Sequence, residues 1–341
     1  MEDKIMKKSM ITVMFALIFM SFCTMVFAAE REPYEIEIYT NINGTSTYIQ
    51  GVALADLINQ HSDWLRATAL ESPGPTESAS MIMNRPEMWT KTVAYVIIQD
   101  ALLGLPPFSG PYEDFRTFAS YGLVSNGYMT NNPDIKTLYD LDGKRVALGT
   151  RPNMPRVDIQ EEMFRLMGIN IRAQYLTFND AVTALSDRRV DAIIGGGFAY
   201  SPDYDVWAPN PSMAELLARN EITFISYDPV EYLWEAKKSL GHDLMPGVLT
   251  IPAGKYDASC DYDLNLMCDY LGWSTHKDMP DFVIQEILRV MADNSHRFVD
   301  YLPNGGYVTP ETMAMLDTPE YIHPAAEAFY NERGIPIRPR Q

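Results

Sequence analysis

The stretch Leu141-Asp-Gly-Lys-Arg-Val-Ala-Leu-Gly-Thr-Arg-Pro-Asn-Met-Pro-Arg156 decides how this chain is read. Asp142-Gly143 marks a tight turn, Arg145 to Leu148 a short buried strand, and Gly149 leads a loop that ends where a helix begins. Pro155 suits the first turn of that helix, where a missing N–H costs nothing. A loop that closes a strand and opens a helix presents unpaired backbone N–H groups and the positive end of the helix dipole. That geometry attracts an anion, and Arg151 and Arg156 add permanent positive charge beside it. The loop is expected to form one wall of a ligand cleft. A solvated face, or ion pairing of the arginines with Asp158 and Glu161, is the alternative.

Toward the N-terminus, Glu35 to Tyr39 alternates as a strand, and Ile49, Val52, Ala53 and Leu57 recur at helical spacing. Between them lies Asn41-Ile-Asn-Gly-Thr-Ser-Thr-Tyr48. N-capping accounts for one hydroxyl of this loop. Several short polar groups at a helix start are better explained by a small polar ligand. Leu65 to Leu70 is a second strand, Thr76 a predicted cap for a helix to about Asn84, and Val93 to Ile98 a third strand that ends in Gln99-Asp100. Strands alternating with helices predict a parallel sheet in an α/β lobe.

Phe118 to Met129 is extended and apolar, as a crossing between lobes would be. Beyond the opening stretch, Ile159, Met163, Leu166 and Met167 line one helical face that Gly168 ends. Asn179 is expected to cap a helix from Asp180 to Ser186, before a strand from Val190 to Ile194. The following Gly195-Gly196-Gly197 reads either as a flexible turn or as close approach of backbone to ligand. Gly247 to Ile251 returns to C-terminal helices, one with Val283, Ile287, Val290 and Met291 inward and Pro280 in its first turn. The expected architecture is two lobes, residues 29–126 with 249–341 and residues 127–248.

The first 28 residues read as a signal peptide. Lys4, Lys7 and Lys8 precede an apolar core from Met10 to Val26, and Val26-Phe27-Ala28 offers small residues for cleavage after Ala28. The apolar run is long enough that an uncleaved anchor is the alternative, and Cys23 lacks the setting of a lipidated cysteine. The chain is therefore expected to be periplasmic. Its net charge of −18 makes it a poor partner for nucleic acid or an anionic membrane surface. In an exported protein, Cys260 and Cys268 suggest a disulfide, provided the segment turns at Asp261 to Asp263, with two buried thiols as the alternative. The histidines are scattered without metal-ligand spacing, and no nucleophile-elbow, P-loop or dinucleotide motif occurs. Neither an enzyme nor a cofactor is implied.

Together these pieces resemble the solute receptors of TRAP transporters, specifically the TAXI group. Gly44-Thr-Ser-Thr-Tyr-Ile-Gln-Gly51 is similar to that family's Gly-Gly-Thr-Tyr-Tyr-Pro-Leu-Gly, with Tyr48 and both end glycines retained. Leu141 to Gly149 resembles its Leu-Lys-Gly-Lys-Arg-Val-Ala-Val-Gly. Asp191-Ala192, Ile251-Pro-Ala-Gly-Lys-Tyr256 and His323-Pro-Ala-Ala-Glu-Ala-Phe-Tyr-Asn-Glu-Arg-Gly334 follow in the family's order. The resemblance implies a type II-like, two-lobed periplasmic binding protein fold with the ligand cleft between the lobes. It implies a small solute, an amino acid such as glutamate or another organic acid, handed to large and small (or fused) TRAP membrane subunits. Ligand contacts would fall on Asn43, Gly44, Thr45, Ser46, Thr47 and Tyr48, on Gly74 and Gln99, and on Thr150, Arg151, Asn153, Met154 and Arg156. Pro152 to Pro155 stands where the family has Gly-Ser-Gly-Thr, so specificity is expected at Pro152 to Arg156. A sensory receptor for a membrane kinase, or an enzyme on the same scaffold, are the rival readings.

Overall fold

A computed structural model describes residues 32–339 apart from 107, 151–154, 210, 245 and 246. The predicted signal peptide and the predicted contacts Arg151, Asn153 and Met154 therefore lie outside the described residues. The first series of elements is β1 (Tyr34–Tyr39), α1 (Ser46–His61), β2 (Leu65–Leu70), α2 (Pro75–Met83), β3 (Thr92–Tyr95), α3 (Ile98–Leu102) and the long β4 (Phe115–Thr130). A second series runs β5 (Arg145–Ala147), α4 (Pro155–Met167), β6 (Arg172–Gln174), α5 (Phe178–Ser186), β7 (Ala192–Ala199), β8 (Trp207–Pro209), α6 (Pro211–Arg219), β9 (Thr223–Ile225) and α7 (Glu231–Ser239). The chain returns through β10 (Gly247–Ile251) and β11 (Leu264–His276) to α8 (Asp281–Asp293), α9 (Pro310–Met313), β12 (Met315–Leu316), α10 (Pro324–Glu332) and β13 (Arg338–Pro339).

The main sheet runs β2-β1-β3-β11-β4-β7-β5-β6, with β10 on β11, β8 on β7 and β9 on β4. As the alternation of strands and helices implied, β1 pairs with β3, and β5 with both β6 and β7, in parallel. What joins the two series is an antiparallel ladder of β4 and β11, from Phe115 opposite His276 to Asn126 opposite Met267. β3 attaches at one end of it, through Trp273 to Thr275, and β7 at the other, through Val124 to Met129. Each series thus buries its apolar strands against a different end of the same ladder.

The cores follow the strand alternation. Ala94, Val96, Ile82 and Phe115 cluster at the β3 end. On β11, Leu264, Leu266 and Cys268 pack with β7, α5 and α6. Met267 packs on the other face with Val157, Ile159 and Met163 of α4, as side chains of successive strand residues must.

The described part of the opening stretch, Leu141 to Thr150, carries the predicted turn and strand, with Arg145–Ala147 as β5. Gly143 has φ +69°, which a residue with a Cβ adopts only with strain. Its N–H donates to Asn170 O at 2.8 Å, and Asp142 accepts from Asn170 N at 2.8 Å. Arg145 holds Asp191 through Nε at 3.0 Å and Nη2 at 2.8 Å, a fork that locks β5 to the start of β7. His323 caps α10, accepting from Ala325 N, while Tyr330 Oη donates to Phe118 O and Met313 O. Leu141 to Gly149, Asp191 and His323 to Gly334 are therefore scaffold.

Several local readings need correction. Gly74, not Thr76, precedes α2, because Pro75 takes the first helical position. Ile98 opens α3 instead of ending β3. Thr177, not Asn179, caps α5, accepting from Asp180 N at 3.2 Å. Gly195-Gly196-Gly197 is neither a turn nor a loop but the middle of β7. A Cβ on Gly196 would lie 2.3 Å from Ser125 O, and one on Gly197 2.8 Å from Ala208 O, so the glycines let neighbouring strands approach. The expected disulfide is absent: Cys260 and Cys268 are buried as thiols. Extended β11 carries Cys268 about 13 Å along the strand from Leu264, and Cys260 Sγ donates instead to Tyr262 O at 3.4 Å.

Candidate functional site

Ligand clefts of open α/β folds lie beyond the C-terminal ends of parallel strands. Here those ends are the loop after β1, the turn from β3 into α3, and the loop from β5 into α4. The structure gives the predicted residues there unequal roles.

In the loop after β1, Asn43 and Gly44 are exposed, and Asn43 N donates to Glu71 Oε1 at 3.3 Å. Gly44 has φ +85°, so its glycine is required by the turn. Thr45 is the N-cap of α1, accepting from Tyr48 N at 3.3 Å. Ser46 Oγ accepts from Asn304 Nδ2 at 2.7 Å, and Thr47 Oγ1 accepts from Tyr121 Oη at 3.2 Å. Three of the hydroxyls that suggested a ligand thus have partners within the protein. Gly51, the other end glycine, has no room for a side chain: a Cβ there would lie 2.1 Å from Thr40 Cγ2. One turn before α1 leaves the site, the amide of Gln50 is fully buried with no hydrogen-bond partner among the described residues. Such an orphaned amide costs free energy unless water or a ligand satisfies it. Gly74 is buried, and Gly74 N donates to Ser72 Oγ at 3.1 Å. Gln99 is 4% exposed, and its Nε2 donates to Asp317 Oδ2 at 3.0 Å. Gln99 and Asp317, with Thr318, border a cavity of about 20 Å3, room for a single water. Thr150 is half-buried.

Arg156 is the centre of the arrangement. It sits in the first turn of α4, and its Nη2 donates to Asp269 Oδ2 on β11 at 2.6 Å, with side chains 16% and 5% exposed. One turn on, Gln160 continues the same face, accepting from Tyr128 Oη at 2.5 Å and donating to Tyr227 Oη at 2.9 Å. Three buried polar contacts therefore fix the start of α4, two of them to the crossing ladder, through Asp269 and Tyr128, and one to Tyr227. The Arg156 Nε is buried without a partner among the described residues.

Around this guanidinium the field is acidic. Burial pushes the Asp100 carboxyl at the start of α3 up to about 6, with Arg156 pulling it down and Asp269 pushing it further up. Burial also raises the Tyr95 hydroxyl at the end of β3, again with Arg156 opposing and Asp269 reinforcing. Burial alone would lower Arg156, but Asp269, Tyr95 and Asp100 together hold its guanidinium charged. Tyr95 meets Tyr121 edge-on at 6.2 Å, and Tyr121 stacks on Trp273 at 4.3 Å. Thr47 is thereby connected through Tyr121 to Tyr95, whose hydroxyl feels the Arg156 charge.

Sequence reading missed Asp100, Asp269 and Tyr95. The signals were present: Gln99-Asp100 closes an apolar strand, and Asp269 is a lone charge inside the apolar run from Leu264 to Leu271. A charge in such a run is buried, and a buried charge needs a partner.

This geometry, with two βαβ series at opposite ends of a crossing ladder, is that of the periplasmic solute-binding proteins. A TctC solute-binding protein from Polaromonas, solved without ligand, superposes with a TM-score of 0.50 over 82% of this chain and 90% of that one, at 13% identity. Rpa4515 of R. palustris, solved with adipate, gives a TM-score of 0.50 over 88% and 95%, at 14% identity. At the level of sequence, residues 38–334 match the NMT1-like family, and the chain belongs to it. No curated protein matches the chain.

Proposed function

We propose that this protein is the extracytoplasmic receptor of a TRAP-type transporter of the TAXI group, binding a small carboxylate-bearing solute and delivering it to membrane subunits. Export follows from the leader, with residues 29–126 and 249–341 as one lobe and 127–248 as the other. Membership in the NMT1-like family and the binding-protein fold support a receptor, and the ordered motifs support the TAXI group.

The observation that carries the ligand class is Arg156. Asp269 balances its charge, yet among the described residues its buried Nε–H has no partner. A guanidinium offers a planar fork of donors, so a solute carboxylate can take what Asp269 leaves. Asp100 and Asp269 then set a limit, since a solute carboxylate enters against two neighbouring acids unless it brings an amine or Asp100 takes a proton. An amino acid meets that condition. A ligand touching both series would stabilise the closed form by its preference for it.

Titration calorimetry with amino acids and four- to six-carbon dicarboxylates tests the reading. Saturable binding that Arg156→Met weakens by about a hundredfold, as loss of a charged hydrogen-bonded contact predicts, supports it. Folded wild-type protein that binds none of them would sink it.

A further inference from the structure

A second cavity, of about 690 Å3, lies on the other face of the ladder. Its floor is Leu123 of β4 and Tyr270 of β11, and Tyr270 points away from the face carrying its neighbour Asp269, as strand alternation requires. Leu249 of β10 and Met315 of β12 also line it. The volume falls within the range of small-molecule sites.

Tyr204 shapes this space. Its φ of +57° is a conformation that side-chain-bearing residues rarely adopt. The loop holds it there: Tyr200 N donates to Val206 O at 2.8 Å, Tyr204 N to Ser201 O at 3.2 Å, and Trp207 Nε1 to Tyr204 O at 2.8 Å. Its ring lies near parallel to Tyr307 at 6.4 Å, and its hydroxyl meets Tyr270 Oη at 3.1 Å and Met315 Sδ at 2.9 Å. Strained backbone that presents an aromatic side chain to a cavity points to use of that cavity. The rim carries Asp203 and Glu311 against a single Arg338, all exposed, so its charge is negative, on a chain already at −18.

We infer that this cavity is a second binding site, for a ring-bearing amine whose ring lies among Tyr204, Tyr270 and Met315 and whose ammonium group faces Asp203 and Glu311. Aromatic walls suit both the ring and an adjacent cation. The field at the rim disfavours the corresponding carboxylate. This site shares no residue with the Arg156 centre and does not rest on the receptor reading. Its failure would leave that reading standing.

Calorimetry with 4-hydroxyphenylethylamine, and with 4-hydroxyphenylacetate as the anion of similar shape, tests the inference on the chain from Ala29 onward. Saturable binding of the amine at least about tenfold tighter than the acid is expected. Leu249→Trp, which fills the cavity, is expected to abolish it. Glu311→Gln, at an exposed position that should not disturb folding, is expected to weaken the amine several-fold and leave the acid unweakened. The inference is overturned if the amine does not saturate, if the acid binds as well, or if Glu311→Gln changes neither.

Discussion

Replacing Arg156 by Met removes the guanidinium and keeps most of the side-chain volume. What remains is Asp269, 5% exposed, beside Asp100 and without the guanidinium it holds at 2.6 Å. Breaking a buried ion pair from one side typically costs about 3–5 kcal/mol. Here protonation sets a ceiling. A carboxyl with an ordinary pKa near 4 can be neutralised at pH 7 for about 1.4 kcal/mol per pH unit, or roughly 4 kcal/mol in all. The same escape costs only about 1.5 kcal/mol at pH 5. Urea unfolding should therefore show Arg156→Met destabilised by about 3–4 kcal/mol at pH 7 and by less than half of that at pH 5. Arg156→Met with Asp269→Leu should recover most of the loss, since an apolar pair of similar volume is often as stable as a buried ion pair. A cost below about 1 kcal/mol at pH 7, or one that does not shrink at pH 5, would refute the claim that this pair is buried and mutually dependent.

Two further outcomes follow from the same geometry. The Asp100 carboxyl has a folded pKa raised to about 6 from 3.8, chiefly by burial, so its favourable contribution is complete below pH ~4 and is lost as pH rises through 6. Asp100→Asn should flatten stability between pH 4 and 7 and raise it at neutral pH, by up to roughly 3 kcal/mol; a wild-type-like pH profile in that variant would overturn the assignment. Gly196→Ala should destabilise by about 2 kcal/mol or more, because its Cβ would lie 2.3 Å from Ser125 O in the adjacent strand, whereas Gly110→Ala, with nothing within 4 Å, should stay within about 0.5 kcal/mol by thermal unfolding.

Much of the fold was legible because it is written in local pattern. Leu65 to Leu70, Gly247 to Ile251 and the helix opened by Pro155 form where periodicity and proline place them. The misplaced caps Thr76 and Asn179 were local slips of one or two residues, whereas the larger errors concerned residues whose role is decided by neighbouring strands. Gly195-Gly196-Gly197 looks like a turn until β4 and β8 are laid beside it, when their backbone oxygens require the missing side chains. The cysteines looked like a bridge until β11 proved straight through Cys268. Pairing in a sheet is long-range, and a single sequence carries little of it.

The site shows the same limit more sharply, because the loop motifs were visible and their meaning was not. Thr45, Ser46 and Thr47 read as ligand contacts, yet each is engaged by the protein itself. Arg156 read as an anion clamp on the strength of its charge and its place at a helix start. Its partner lies 113 residues away, in a strand that local pattern marks only as apolar. The sequence therefore identified a cation worth burying but not the carboxylate that makes burying it possible. That difference decides the chemistry. An unpaired Arg156 would draw any small anion, whereas on the proposed reading one held by Asp269 and flanked by Asp100 favours a solute that brings compensating charge of its own. If simple dicarboxylates bind as tightly as amino acids of the same length, Asp100 does not border the ligand, and the acidic flank has only a structural role.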